Sequence, residues 1–244
     1  MKLKQHIPNA ITCLNLFCGC LSIMFLMVNM PVKAAIMIFV AGLFDLLDGL
    51  AARLLDAHSP IGRQLDSLAD VVSFGVAPGF IMFYFMERSL VNPYSFLWGI
   101  PVSLAYLAFL LPMFSAIRLA RFNVDDTQTT DFRGLPAPAM ALFVASLPLA
   151  LIGKINQLHF GSYSYWAILG ITLIFAFMMV SSRLRFFSFK MKSLSWKGHQ
   201  LQWIFLILAV VGFAIFRFPA LPFIMLLYIL MSILFYRPKA EPQP

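Results

Sequence analysis

Four aspartates and an arginine are crowded into one stretch of an otherwise apolar chain. It reads Asp45-Leu-Leu-Asp48-Gly49-Leu-Ala-Ala52-Arg53, then eight residues, then Gly62-Arg-Gln-Leu-Asp66-Ser-Leu-Ala-Asp70. At about 100° per residue, positions 45, 48, 49, 52 and 53 fall within an arc of about 140° on one helix, and 62, 66 and 70 span about 80° on the next. Two antiparallel helices joined by a short turn therefore aim four carboxylates into one space. Clustered carboxylates repel one another unless protonated or metal-bound, and hard divalent cations take oxygen ligands. Gly49, Ala52 and Gly62 lie on the same faces, so a flat or bulky ligand can approach the backbone there. Arg53 adds a planar cation suited to bidentate phosphate recognition. Metals, close backbone and a phosphate fork together point to a nucleotide diphosphate. The structural alternative has Asp45 and Asp48 pairing with Arg53 while the glycines serve helix packing. It accounts for one Asp–Arg pair, but not for four carboxylates at these spacings.

The elements that must hold this cluster are read from composition. Of 244 residues, 61% are apolar and 11% charged, against about 25% charge and 45–50% apolar residues in a soluble domain. A soluble enzyme, a disordered chain, a disulfide scaffold and a coiled coil are excluded. The expected fold is all-α, a polytopic membrane helix bundle. Apolar runs near 10–30, 32–55, 66–87, 94–117, 137–153, 163–182, 201–217 and 219–236 give about eight transmembrane helices. The last two are divided only by Arg217-Phe-Pro219, which leaves the count between seven and eight. With the N-terminus in the cytosol, fourteen of the eighteen Lys and Arg fall on the inner side and four, Lys33, Arg88, Lys154 and Arg217, on the outer. That split follows the positive-inside rule and puts both termini in the cytosol. The expected organisation is a cytosolic segment 1–9, one transmembrane domain 10–236 and a disordered tail 237–244.

A carboxylate at mid-span costs roughly 2.5–3.5 kcal/mol on insertion scales, so the aspartates need compensating cations. Little else in the chain offers chemistry. Cys13, Cys18 and Cys20 form no CxxC motif, and His6, His58, His159 and His199 have no metal spacing. The net charge of +8 reads as contact with anionic lipid rather than nucleic acid. The basic-aromatic run at 183–192 reads as an interfacial anchor, and the acidic segment 125–131 as a polar loop.

The string D-x2-D-G-x2-A-R-x8-G-x3-D-x3-D resembles the signature of the CDP-alcohol phosphotransferases, with every defined position filled. Further stretches resemble one branch, the integral-membrane phosphatidylserine synthases: PNAITCLNLFCG at 8–19, DVVSFGVAPG at 70–79, RLARFN at 118–123 and FRGLPAPA at 132–139. The resemblance covers most of the first 140 residues. It implies a two-metal site for Mg²⁺ or Mn²⁺ in which Asp45, Asp48 and Asp66 are ligands and Asp70 is both ligand and general base. It also implies that Gly49, Arg53 and Ser59 contact the CDP moiety, with Ala52 and Gly62 beside them, and that Pro8, Asn9 and Thr12 help hold the nucleotide. The implied substrates are CDP-diacylglycerol and L-serine, and the implied assembly is a homodimer.

Direct displacement fits this site, because no Cys or His stands near the cluster as a covalent nucleophile. A serine hydroxyl is a poor nucleophile at neutral pH, so a carboxylate must take its proton. Arg118, Arg121 and Arg133, with Asn123, are candidates for the acceptor carboxylate or a lipid phosphate. Ser73, one turn past Asp70, either bonds the acceptor or caps a bend before Gly75 and Pro78. The location expected from habit is a prokaryotic cytoplasmic membrane, with the site at the cytosolic face. Two alternatives stand. The same donor can serve another acceptor, such as glycerol phosphate or inositol phosphate. The other is a divalent-cation transporter, disfavoured because the carboxylates crowd to one side and the last four apolar runs contain no acid.

Overall fold

The computed structural model describes residues 4, 6–57, 59–90, 102–124, 132–152, 162–181, 185–186 and 200–235. The tail 237–244, the acidic segment 125–131, His58 and most of the basic run 183–192 lie outside the described residues.

The first two helices form a hairpin, α1 (His6–Met27) and α2 (Pro31–Leu54). The next rod is continuous: α3 (Pro60–Val71), a π-helical turn (Val72–Val76) and α4 (Ala77–Leu90). A 3-10 segment (Val102–Phe109) leads into α5 (Leu110–Val124). Helices α6 (Ala137–Ala150), α7 (Ser162–Val180), α8 (Gln200–Phe216) and α9 (Ala220–Phe235) follow. The described residues thus make a bundle of eight helical rods. Four of them are long and apolar enough to cross a membrane, and the remaining four are shorter apolar helices. The open question at 217–219 resolves into two helices. Arg217 adopts a left-handed φ of 55° and turns the chain between α8 and α9.

Boundaries differ from the hydropathy reading where polar residues continue a helix. Helix α1 starts at His6, ahead of the apolar run, and carries Pro8 and Asn9 in its first turn, where proline costs no intrahelical hydrogen bond. The third rod starts at Pro60 rather than 66, because Ser59 caps it by accepting from the Gly62 amide at 2.9 Å. Its first turns are polar on purpose: they carry the site. Helix α5 runs to Val124, past the expected 117, and includes the whole RLARFN stretch.

Small residues let the backbones approach. Ala34, Ala35, Ile38 and Ala41 of α2 are fully buried, as are Met140, Ala141, Val144 and Ala145 of α6. Phe74 of the π turn and Ile81 and Met82 of α4 belong to the same buried core. On α1 the inward stripe is Pro8, Thr12, Asn15, Gly19, Ser22 and Leu26, at helical spacing. Polar groups on this helix turn inward and large apolar ones such as Phe17 and Met24 turn out, as expected where lipid is the solvent. Two short strands, β1 (Phe132–Arg133) and β2 (Arg185–Phe186), pair antiparallel with Arg133 opposite Arg185. Nothing in the sequence pattern announced this ladder. It ties the approach to α6 to the exit of α7, and Gly134 (φ 78°) passes so close to the Met179 carbonyl that no side chain fits.

Candidate active site

Helices α2 and α3 bring their acidic faces together at the end of the bundle where α2 stops at Leu54 and α3 begins at Pro60. One carboxylate oxygen from each of Asp45, Asp48 and Asp66 lies within 4.8 Å of the others. Asp48 is buried, Asp45 and Asp66 half-buried. Helix α1 supplies the third wall. Thr12 Oγ1 donates to Asp48 Oδ2 at 2.6 Å and also contacts the Pro8 carbonyl at 3.1 Å.

Asp70 lies one turn beyond Asp66, within electrostatic reach of the other three carboxylates but outside the tight three-oxygen group. It is 8% exposed, and Asn15 Nδ2 donates to its Oδ1 at 3.2 Å. The Asn15 carbonyl in turn accepts from Ser73 Oγ at 3.0 Å. Asn15 therefore pins α1 to both ends of the turn that follows Asp70. Sequence reading passed over it, because one Asn in an apolar run looks like an isolated polar residue. Its place on the Pro8–Thr12–Asn15 stripe was the available signal.

A cavity of about 790 Å³ opens over the cluster. All eight residues expected around the CDP moiety line it: Pro8, Asn9, Thr12, Gly49, Ala52, Arg53, Ser59 and Gly62. Asp45, Asp48 and Asp66 form part of the same wall, and Arg63 and Gln64, not singled out from sequence, join them. The two glycines do different work. A methyl group at Gly49 would meet nothing within 4 Å, so the backbone there faces open space. At Gly62 it would sit 2.9 Å from Asn9 Oδ1, so this glycine lets α1 and α3 close on each other. Arg53 lies along its own helix, with Nε donating to the Gly49 carbonyl at 3.0 Å, and is exposed at the cavity wall.

The residues considered for the acceptor do not share one lining. Ser73 is fully buried and Arg118 is 9% exposed. Arg118 has Asp70 and Tyr228 of α9 as electrostatic neighbours, and its Nε lacks a hydrogen-bond partner. Arg121 is exposed and reaches the Val180 carbonyl at 3.5 Å. Asn123 Nδ2 donates to Ser67 Oγ at 2.8 Å, joining α5 to α3. Arg133 pairs its backbone in the β1–β2 ladder.

The donor set suits a hard cation. Carboxylates converge from two helices, and Asp66 Oδ1 is buried without a hydrogen-bond partner, which in a satisfied interior is uncommon. A cavity walled by backbone, an arginine and this oxygen cluster can hold a diphosphate through metal.

Comparison with known proteins agrees with this geometry. A family model described as CDP-alcohol phosphatidyltransferase matches residues 5–180, from the start of α1 to the end of α7. A CDP-diacylglycerol–serine O-phosphatidyltransferase of Helicobacter pylori is 35% identical over 207 residues, covering 84% of this chain and 81% of that protein. A protein of the same name from Bacillus subtilis is 34% identical over 176 residues, covering 66% of this chain and 94% of its own. An archaetidylserine synthase of Methanothermobacter thermautotrophicus is 32% identical over 184 residues, covering 72% and 67%. With a family match running through every helix that builds the site, the chain belongs to the CDP-alcohol phosphatidyltransferase family.

Proposed function

We infer that the protein is a CDP-diacylglycerol–serine O-phosphatidyltransferase. It transfers the phosphatidyl group of CDP-diacylglycerol to L-serine, giving phosphatidylserine and CMP. The observation that carries this reading is the convergence of three carboxylates on a cavity lined by all eight expected donor residues. The family match and the bacterial relatives support the donor and the acceptor.

Asp45, Asp48, Asp66 and Asp70 are the residues to hold two divalent cations, Mg²⁺ or Mn²⁺. When bound, the ions supply Lewis-acid neutralisation of the diphosphate and of the departing CMP oxygen. The protein's own residues do the rest. Gly49 and Ala52 leave room for the nucleotide against α2, and Arg53 offers it a cation. Asp70, held by Asn15, takes the proton of the serine hydroxyl as its oxygen bonds to the lipid-linked phosphorus and the bond to the CMP oxygen breaks. Arg118, buried beside Asp70 with an uncommitted Nε, is the partner we assign to the serine carboxylate. Arg121, Asn123 and Arg133 are assigned to the lipid phosphate and the shape of the entrance.

The lipid tails stay in the bilayer while the headgroup reacts at the membrane edge. The reading includes eight crossings, both termini in the cytosol, a cytoplasmic membrane and a homodimer.

The test is CMP release by the purified protein with CDP-diacylglycerol and Mg²⁺ or Mn²⁺, comparing serine, glycerol 3-phosphate and inositol phosphate. Serine-dependent release is expected, abolished by chelation and restored by either ion. In Asp70→Asn the rate should fall by at least on the order of 10²–10⁴-fold, the usual contribution of a positioned base. Release with a phosphorylated acceptor alone would move the protein to another activity within the family. No release with any acceptor, from folded metal-loaded protein, would bring the cation transporter forward.

A further inference from the structure

Arg63 belongs to two structures at once. It lines the donor cavity on α3, and its Nη2 donates to the carbonyls of Asn123 at 3.0 Å and Phe122 at 3.4 Å, at the C-terminal end of α5. Those carbonyls belong to the last turn of the helix, the end that carries partial negative charge. A guanidinium from a neighbouring helix is a fitting cap for them. A second bond runs beside it: Asn123 Nδ2 donates to Ser67 Oγ, which itself donates to the Arg63 carbonyl at 3.2 Å.

These bonds fix how far α5 is slid along α3. The pairing is antiparallel, with Ser67 opposite Asn123 at one end. At the other, a methyl group placed on Gly75 would lie 3.1 Å from Ser115 Cβ. Counting between these two points sets Arg118 level with Val71 and Val72, beside Asp70. From Asn123 back to Arg118 is five residues, or about 7.5 Å of helix. A small axial slip of α5 therefore moves Arg118 off Asp70, whereas the donor cavity on α1, α2 and α3 keeps its shape.

We propose that Arg63 is a positioning residue for the acceptor, a clasp on the end of α5 that holds Arg118 in line with Asp70. The inference rests on the serine transfer reaction proposed above. Its placement on the cavity wall makes the opposite role, direct contact with the donor, the competing outcome of the test.

Arg63→Ala is compared with wild type for the serine KM, for CDP affinity by calorimetry with Mg²⁺, and for amide exchange over residues 118–124. The expected result is a roughly five-fold or larger rise in serine KM, CDP affinity within about two-fold, and faster exchange at the end of α5. Arg63→Lys, which keeps the charge and can reach one carbonyl, should recover part of the serine KM. Ser67→Ala cuts the neighbouring bond and controls for general loosening between α3 and α5; its smaller effect on serine KM is expected. A fall in CDP affinity larger than the rise in serine KM would overturn the proposal and make Arg63 a donor ligand. Unchanged serine KM with unchanged exchange would overturn it too. If wild type itself shows no serine-dependent release, the reaction reading fails. The exchange at 118–124 then judges the clasp by itself.

Discussion

Asp48 and Asp70 both reach α1 through one hydrogen bond, from Thr12 and Asn15 respectively. These two side chains sit on the same stripe and set the carboxylates at different depths, one at the cavity and one in the interior. Partners that orient metal-ligating carboxylates commonly matter 10- to 100-fold in metal affinity or activity. Thr12→Val keeps the shape of the side chain and removes the donor to a buried carboxylate. We expect the Mn²⁺ concentration for half-maximal activity to rise by about ten-fold or more, with the serine KM little changed; a metal titration of activity reads this directly. Much of this site was legible beforehand. The aspartates, glycines and Arg53 could be found because their spacing only makes sense on two facing helices. Asn15 and Arg63 could not. The first works through a contact 55 residues away, and the second reads, in one dimension, as an ordinary positive charge at a membrane edge.

At the scale of elements, the crossing of α1 with the third rod is the joint on which the site depends. A methyl group at Gly19 would fall 2.5 Å from Ser73 Oγ and 2.9 Å from its Cα. Backbone cannot yield as a flexible side chain can, so the helices would have to part. Gly19→Ala should therefore destabilise by about 1–3 kcal/mol, the usual range for overpacking, and weaken activity by drawing Asn15 away from Asp70. Gly49→Ala is its counterpart, because a methyl there meets nothing. It should raise the melting temperature slightly, as Gly→Ala does within a helix, and weaken CDP binding, since the new group projects into the cavity proposed for the ligand. Melting curves and calorimetry on the two variants separate a packing glycine from a binding one. Hydropathy located these rods but misplaced their polar ends, since α3 begins with residues chosen for the cavity rather than for lipid. The two roles open to Ser73 from sequence, an acceptor contact or a cap before Gly75 and Pro78, did not include the bond it makes to the Asn15 carbonyl. The π turn at Val72–Val76 arises where Ser73, Phe74 and Gly75 are buried against α1, α2, α5 and α6, and such turns often accompany functional sites.

At the scale of the whole molecule, most of the described arginines share one end of the rods with the carboxylates. Helix α1 has 22 residues and α2 has 24, about 33 and 36 Å at 1.5 Å per residue, enough to span a hydrocarbon core of about 30 Å. The α1–α2 turn lies about 21 Å of helix from Asp45 and about 26 Å from Asp48, most of the way across such a core. At that far end Tyr84 donates to Asn29 Oδ1 at 2.6 Å, Arg88 donates to both, and Lys33 sits over the Phe25 ring. Arg53, Arg63 and Arg121 gather instead at the aspartate end. Basic residues concentrate on the cytosolic side of membrane proteins, and the proposed nucleotide-linked substrate would be supplied from that side, so two independent considerations support the proposed orientation. Single cysteines placed at Ile61 and Val28, both exposed, in a background lacking Cys13, Cys18 and Cys20, make it measurable. An impermeant maleimide should label Ile61→Cys only in inside-out vesicles and Val28→Cys only in right-side-out ones. The reverse pattern would set the site on the outer face, where a CDP-linked donor could not reach it, and would remove the basis for the proposed reaction along with the topology. Labelling of both positions from one side would mean that α1 and α2 re-enter rather than cross, which their length and apolar faces argue against.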